Sequence, residues 1–322
     1  MILLTGATGF VGQAVLVQLL RRQECAIRTY GRRAPVGLHG HGNAAQHTLH
    51  ITGDLSDGAD FSAALTDIDV VIHCAAQAHV MKSSPDQSDD IYWAANVGGT
   101  CNLARQSIAA GVKRFIFISS VKVNGESTTN NLPFSNTSLP APEDDYGRSK
   151  QAAEEGLRSL VVGTGMELVI IRPPLVYGPG VKGNFRSLLT VAEKNLPLPL
   201  GAINNQRSMV ALDNLVDLIM TCITHPHATN QTFLVSDDQD VSTTQLLEKM
   251  SRAAGKSPRL LPVPMSWLRL AGKLTGKQAV IERLCGNLQV DISHTKTILG
   301  WQPPISLEEG IKRCFIEDKE GC

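Results

Sequence analysis

Tyr146 and Lys150 stand four positions apart in YGRSK, within a stretch at 146–162 whose pattern predicts a helix. That spacing puts both side chains on one helical face. A lysine ammonium favours the phenolate of a neighbouring tyrosine, so the phenol pKa falls from about 10 toward neutrality. Such a tyrosine can take and return protons. A solvated surface pair would have the same spacing, so the pair needs company. RFIFISSV at 114–121 supplies it. This apolar strand ends in Ser119 and Ser120, at the carboxyl edge where open α/β sheets bind ligands. A serine hydroxyl there can help polarise a carbonyl. Together the three groups can move a proton while a nicotinamide moves a hydride.

A nucleotide site precedes them. TGATGFVG at 5–12 carries Gly6, Gly9 and Gly12 directly after the apolar run ILL and before a helical pattern at 11–22. In that context the first glycine permits a tight turn and the second lets a pyrophosphate approach the backbone. The third lets helix and strand pack closely. The helix N-terminus adds N–H donors and positive dipole. Many dinucleotide sites end the second strand with a carboxylate for the ribose hydroxyls. Here no Asp or Glu lies between Ala26 and Asp54, and TYGRRAP carries Arg32 and Arg33 instead. A guanidinium suits the 2′-phosphate of NADP. The reading is therefore NADP(H), with NAD(H) as the alternative if both arginines face water.

The elements that must position these groups alternate. Apolar runs at 25–27, 47–51, 69–75, 114–120 and 167–173 are separated by helical stretches, among them 91–110 and 146–162. The fold class is α/β: a Rossmann-type, doubly wound parallel sheet. DVVIHCA at 69–75 reads as a strand buried on both faces, with Cys74 at its buried end. Further on, 183–195 reads as a helix, 196–201 as a Pro-broken turn and 207–212 as a short strand. A helix capped by Asp213 follows, and 233–236 is a strand. The rest is mostly helical. The division expected is 1–175 for the nucleotide-binding domain and 176–322 for a smaller, helical substrate-binding subdomain. Late strands and helices of the second part return to the first. The loop at 125–144 is long enough to rim a site.

Thirty basic residues balance thirty acidic ones, which supports neither nucleic-acid binding nor a polybasic membrane surface. The opening apolar run is four residues, too short for a signal peptide, and no later segment is long and apolar enough to span a bilayer. A cytoplasmic protein is expected. Seven scattered cysteines without a CxxC pair read as free thiols. His39, His41, His47 and His50 straddle a Gly-rich loop and a strand without a nearby cysteine or carboxylate at ligand spacing, so no metal site is expected. Glu154 and Glu155 read as an exposed helical face.

TGATGFVG, Asp54–Leu55, HCAAQAH, NVGGT, FISSVKVNGE and YGRSK together resemble the extended short-chain dehydrogenase/reductase family. The resemblance runs nearly end to end, through IIRPPLVYGPG and LGWQPPISLEEGI, and leans to its nucleotide-sugar branch. It implies Tyr146 as acid/base, Lys150 on the nicotinamide ribose and Ser120, five before Gly125, as the catalytic serine. Ser119 is then a strand-end residue. Cofactor contacts are implied at Gly6, Thr8, Gly9, Phe10, Val11, Gly12, Asp54, Leu55, Ala75, Ala76 and Pro173. Asn96 supports the site from the helix behind it. Substrate contacts are implied at His79, Lys122, Asn184 and Arg207. The last two face a nucleotide diphosphate, against the plainer readings of a helix N-cap and a surface ion pair.

Dehydratases of that branch carry an Asp–Glu pair after the strand serine, and here Val121 and Lys122 follow Ser120. Dehydration is disfavoured. What remains is chemistry at C4 of a UDP-sugar. Reduction of a 4-keto-6-deoxy-N-acetylhexosamine for surface polysaccharide is put first, on the strength of Arg32 and Arg33, with 4-epimerisation second. Reduction of a hydrophobic ketone and a non-catalytic cofactor-binding role rank lower. The resemblance also implies a homodimer.

Overall fold

The computed structural model describes residues 1–35, 48–77, 93–129, 132–276 and 278–316. The first half builds β1 (Ile2–Thr5), α1 (Phe10–Arg22), β2 (Ile27–Gly31), β3 (Thr48–Thr52), the short α2 (Ser62–Leu65) and β4 (Val70–His73). A π-helical turn, Trp93–Gly99, leads into α3 (Thr100–Ala109), and β5 (Arg114–Ile118), α4 (Asp145–Val161) and β6 (Glu167–Arg172) follow. The seven-stranded sheet runs β3-β2-β1-β4-β5-β6-β9, every pairing parallel, with β9 at Thr232–Leu234. The chain turns one way from β1 to β2 and β3, then restarts on the other side at β4. That reversal opens a crevice beyond the carboxyl ends of β1 and β4.

Strand alternation explains the layers. Ile2, Leu4, Ile72, Ile116, Val169 and Ile171 share one face, packed with α1 and α6 (Leu212–Thr224). Leu3, Val71, Phe115, Phe117, Leu168 and Ile170 share the other, packed with α3 and α4. Because both faces are covered, these strands read as continuous apolar runs instead of alternating ones.

The remainder comprises β7 (Leu175–Tyr177) and β8 (Met209–Ala211), which pair in parallel as a separate small sheet, and α5 (Gly183–Glu193). After β9 come α7 (Thr243–Ala253), α8 (Met265–Leu274), α9 (Gln278–Cys285), α10 (Ser293–Leu299) and α11 (Leu307–Ile316). Tyr177, Phe185, Met209, Leu247 and Ile311 form their own core. Asp237 fastens it to the main sheet: it accepts from the Tyr177 hydroxyl at 2.6 Å, the Ala211 amide at 2.8 Å and the Asn214 amide at 2.7 Å.

Two local expectations are corrected. Asp213 does not cap α6; Ala211 holds the cap position, and Asp213 sits in the first turn, paired to Arg313 at 3.0 Å. Glu154 is not on an exposed face. Its side chain is 3% exposed and grips Arg172, 6% exposed, at 2.5 Å. The helix turns position 154 toward the end of β6, where an arginine faces inward, and sequence spacing carried no sign of that partner. Glu155, its neighbour, is exposed.

Candidate active site

The glycine loop has the geometry its spacing implies. Gly6 has φ +72°, and a Cβ there would lie 2.6 Å from the Ala75 nitrogen, against the end of β4. A Cβ on Gly12 would overlap the Gly6 carbonyl, so α1 is seated directly on the turn. The loop opens into a groove of about 590 Å³ along the crevice. Its walls include Gly6, Thr8, Gly9, Arg32, Arg33, Asp54, Leu55, Ala75 and Ala76, all expected from sequence. Phe10 and Val11 start α1 directly after the glycine turn, and their side chains pack on the two cores. Tyr30, Cys74 and Gln77 also line the groove. They carry no motif: Tyr30 is a strand residue whose hydroxyl donates to the Asp54 carbonyl at 3.0 Å, and only the pairing of β2 with β3 brings it there. A glycine turn under a helix N-terminus, walled by main chain and small side chains, fits a dinucleotide pyrophosphate. Arg32 and Arg33 are exposed at the groove wall.

Behind Thr5 of the groove wall lies a neutral histidine. His73, fully buried, takes hydrogen bonds with the Thr5 hydroxyl at 2.6 Å and the Thr100 hydroxyl at 2.9 Å. Burial pulls its pKa down to about 3, so it locks β1, β4 and α3 together without charge. Cys74 beside it is half-buried and raised to about 12 by burial, which leaves it a thiol. The six described cysteines form no disulfide with one another.

The catalytic candidates converge at the end of β5. Asp144, two residues before Tyr146, caps α4 by accepting from the Gly147 amide at 2.7 Å and so fixes where the helix begins. Lys150 lies one turn on, on the same face. The residue is 2% exposed, and its ammonium donates to the Ile118 carbonyl at 2.8 Å and stands 4.4 Å over the Phe117 ring and 6.0 Å from the Tyr146 ring centre. Burial lowers its pKa to about 8, with the Glu154 carboxylate acting the other way. Ser120 accepts from the Lys122 amide at 3.2 Å, and Pro173 accepts from the Val121 amide at 2.9 Å, so β6 steadies the serine turn. Asn96 sits 1% exposed between the Gln77 main chain, at 2.8 and 3.1 Å, and the Ser149 hydroxyl at 3.0 Å. It thus ties the groove wall to α4.

A second, buried layer lies behind Ser120. Ser119 donates to Glu154 at 2.6 Å; Arg172 donates to the same carboxylate at 2.9 and 2.5 Å and to Asn124 at 3.1 Å. The strand-end reading of Ser119 is thereby given a partner. Lys122 is engaged by Glu126 at 2.8 Å and by Asp144, so its charge is spent on the protein. This bridge joins the serine turn to the cap of the tyrosine helix.

The substrate candidates fare differently. Asn184 is exposed in the first turn of α5, where Lys182 holds the cap position, so the N-cap alternative fails. Arg207 donates to the Arg283 and Gly286 carbonyls at 2.8 and 3.2 Å and makes no ion pair among the described residues, so the surface ion-pair alternative fails too. Burial lowers its pKa. His79 lies outside the described residues, as do His39, His41 and His47. His50 bonds the Thr29 hydroxyl at 2.9 Å, and no metal-holding cluster occurs among the described residues. No described helix is long and apolar enough to cross a membrane.

Comparison with known proteins agrees with this architecture. The chain is 49% identical to a UDP-glucose 4-epimerase of Vibrio cholerae over 97% of its length and 93% of the relative's. It is 29% identical to the N-acetyl-alpha-D-glucosaminyl-diphospho-ditrans,octacis-undecaprenol 4-epimerase of Escherichia coli O157:H7, over 97% and 93%. A crystal structure of UDP-glucuronic acid 4-epimerase from Bacillus cereus in complex with NAD shares the fold, with TM-score 0.78 and 22% identity over 99% of this chain and 98% of that one. Residues 2–236 match the model of the NAD dependent epimerase/dehydratase family. The glycine turn, the groove at the β1–β4 reversal and the Tyr146–Lys150 helix all fall inside that span, and the chain belongs to this family.

Proposed function

We propose that the protein is a UDP-hexose 4-epimerase that works with NAD. The observation that carries this reading is the near-full-length 49% identity to a UDP-glucose 4-epimerase. It favours the second of the two chemistries read from the sequence over the reductase put first. The preference for NADPH goes with it. Arg32 and Arg33 are exposed, and an exposed guanidinium can stay hydrated beside a free 2′-hydroxyl, so two arginines on a groove wall do not demand a 2′-phosphate.

In this reading the glycine turn and the N-terminus of α1 hold the pyrophosphate, and Lys150 holds the nicotinamide ribose. The nicotinamide, when bound, accepts hydride from C4 of the sugar and gives it back. Tyr146 takes the proton of the C4 hydroxyl as the ketone forms and returns it as the alcohol re-forms. Lys150 supports this by placing its positive charge on the same side of the site as the Tyr146 ring. Ser120 donates to the C4 oxygen and keeps it in reach of both. Inversion requires the ketone to present its other face, so the sugar must turn while its diphosphate stays held. Arg207 suits that hold: backbone carbonyls fix part of its guanidinium, and among the described residues no carboxylate pairs with the rest. With its charge engaged by Glu126 and Asp144, Lys122 is a brace in this reading and not a substrate contact.

The test is incubation of the purified protein with UDP-glucose and UDP-N-acetylglucosamine, followed by separation of C4 epimers. Inversion without net change in NAD or NADH is the expected result. Stoichiometric consumption of a reduced nicotinamide with a 4-ketosugar, and no inversion of either hexose, would overturn the proposal.

A further inference from the structure

Net neutrality of the whole chain conceals one unbalanced segment. From Lys256 to Gly276 there is no Asp or Glu, while Lys256, Arg259, Arg269 and Lys273 are all present and exposed. None of the four makes an ion pair among the described residues. The same segment exposes large apolar side chains: Leu261 at 56%, Trp267 at 71%, Leu270 at 59% and Leu274 at 79%. In α8, Trp267, Leu270 and Leu274 follow spacings of three and four, so they form one outward stripe. Arg269 and Lys273, four apart, form a basic stripe beside it. Leu268 and Gly272 face inward. Gly272 meets Ile281 of α9 so closely that a Cβ there would lie 2.8 Å from it, which fixes the two helices as a rigid pair. The far end of that pair is tied to Arg207 through the Arg283 and Gly286 carbonyls. The segment lies beyond residue 236, where the family match ends.

We propose that α8 and the loop before it dock on the surface of an anionic phospholipid bilayer. An interfacial helix needs an apolar stripe with aromatic anchorage, flanking cations and no opposing acids, and α8 with its preceding loop meets each condition. Charge decides between occupants. In a protein–protein interface, lysine is depleted from the buried core, and four unneutralised cations would need an acidic counterpart. A bilayer supplies that charge continuously and lets lysine and arginine stems reach back to the headgroups while tryptophan and leucine enter the acyl boundary. Docking here does not depend on which nucleotide sugar the site accepts.

The test is flotation of the full-length protein with vesicles of phosphatidylcholine and phosphatidylglycerol at 7:3, against phosphatidylcholine alone. Binding to the anionic vesicles only, reversed by high salt, is expected. Each basic residue near such a surface contributes roughly a fivefold factor to partitioning, so the double variant Arg269→Gln, Lys273→Gln should bind about thirtyfold more weakly. The triple variant Trp267→Ser, Leu270→Ser, Leu274→Ser should lose binding while melting temperature and activity on soluble substrate stay unchanged, because these side chains are already in water. No binding to anionic vesicles, or equal binding to neutral ones, would overturn the proposal. So would a triple variant that changes molar mass by light scattering but floats as the parent does; that result would make the stripe a contact between copies.

Discussion

Replacing Glu154 by leucine removes one partner of a buried ion pair and leaves the other behind. Among the described residues Arg172 then keeps only its 3.1 Å contact to Asn124, at 6% side-chain exposure, and Ser119 loses its acceptor. A buried charge stranded in this way costs about 3–5 kcal/mol. Arg158, 3.8 Å from the carboxylate and half exposed, cannot stand in for it because it carries the same sign as Arg172. Unfolding entropy of about 2.1 cal/mol/K per residue converts that loss to a fall of roughly 4–7 °C in melting temperature. Arg172→Met should do similar damage. The double variant, Glu154→Leu with Arg172→Met, leaves no charge to strand and should come within about 1 kcal/mol of the parent, because replacing both partners by apolar groups is often near neutral. Urea unfolding of the four proteins closes the cycle, with an expected coupling of at least about 3 kcal/mol. Single losses under about 1 kcal/mol, or a double variant as unstable as the sum of the singles, would refute the burial argument.

Tyr146→Phe should lower kcat by about 10²–10⁴ with melting temperature nearly unchanged, read by epimer formation; retained activity would remove the proton-transfer role. Lys150 has a folded pKa of about 8, below its ordinary value of 10.5, so the folded chain binds fewer protons than the unfolded one between those values and its stability rises with pH across that window. Lys150→Met should therefore abolish activity yet stabilise the nucleotide-free protein at pH 7. The net penalty of holding the ammonium there, about 3 kcal/mol, is offset in part by the charged hydrogen bond to Ile118, about 1.5–3 kcal/mol, so the gain at pH 7 is small; it should shrink above pH 8, followed by thermal melts from pH 7 to 10. Asp144→Ala removes both the cap of α4 and the Lys122 brace and should cost about 1–2 kcal/mol in urea, whereas Lys122→Met should cost under about 1 kcal/mol, its ion pairs being partly exposed. Arg32→Ala with Arg33→Ala should leave bound NAD unchanged and weaken NADP alone, measured by nucleotide titration.

The local chemistry was legible because it obeys short periodicities. Glycines at spacings of three after an apolar run can be read as a turn under a helix, and a Tyr–Lys spacing of four as one helical face, without knowing what surrounds them. The apolar runs announced a sheet covered on both sides for the same reason. What lay outside the sequence were partnerships between distant segments. Nothing in QAAEE says that Glu154 meets Arg172, and no local pattern says that a neutral His73 bridges Thr5 and Thr100 or that Tyr30 lines the groove. These contacts depend on strand order, which no local pattern encodes. Charge was misleading in both directions: Arg32 and Arg33 looked specific although they are exposed, while a balanced total hid the basic face of α8. A side chain's effect depends on its burial and its partners, and only the tertiary structure assigns those.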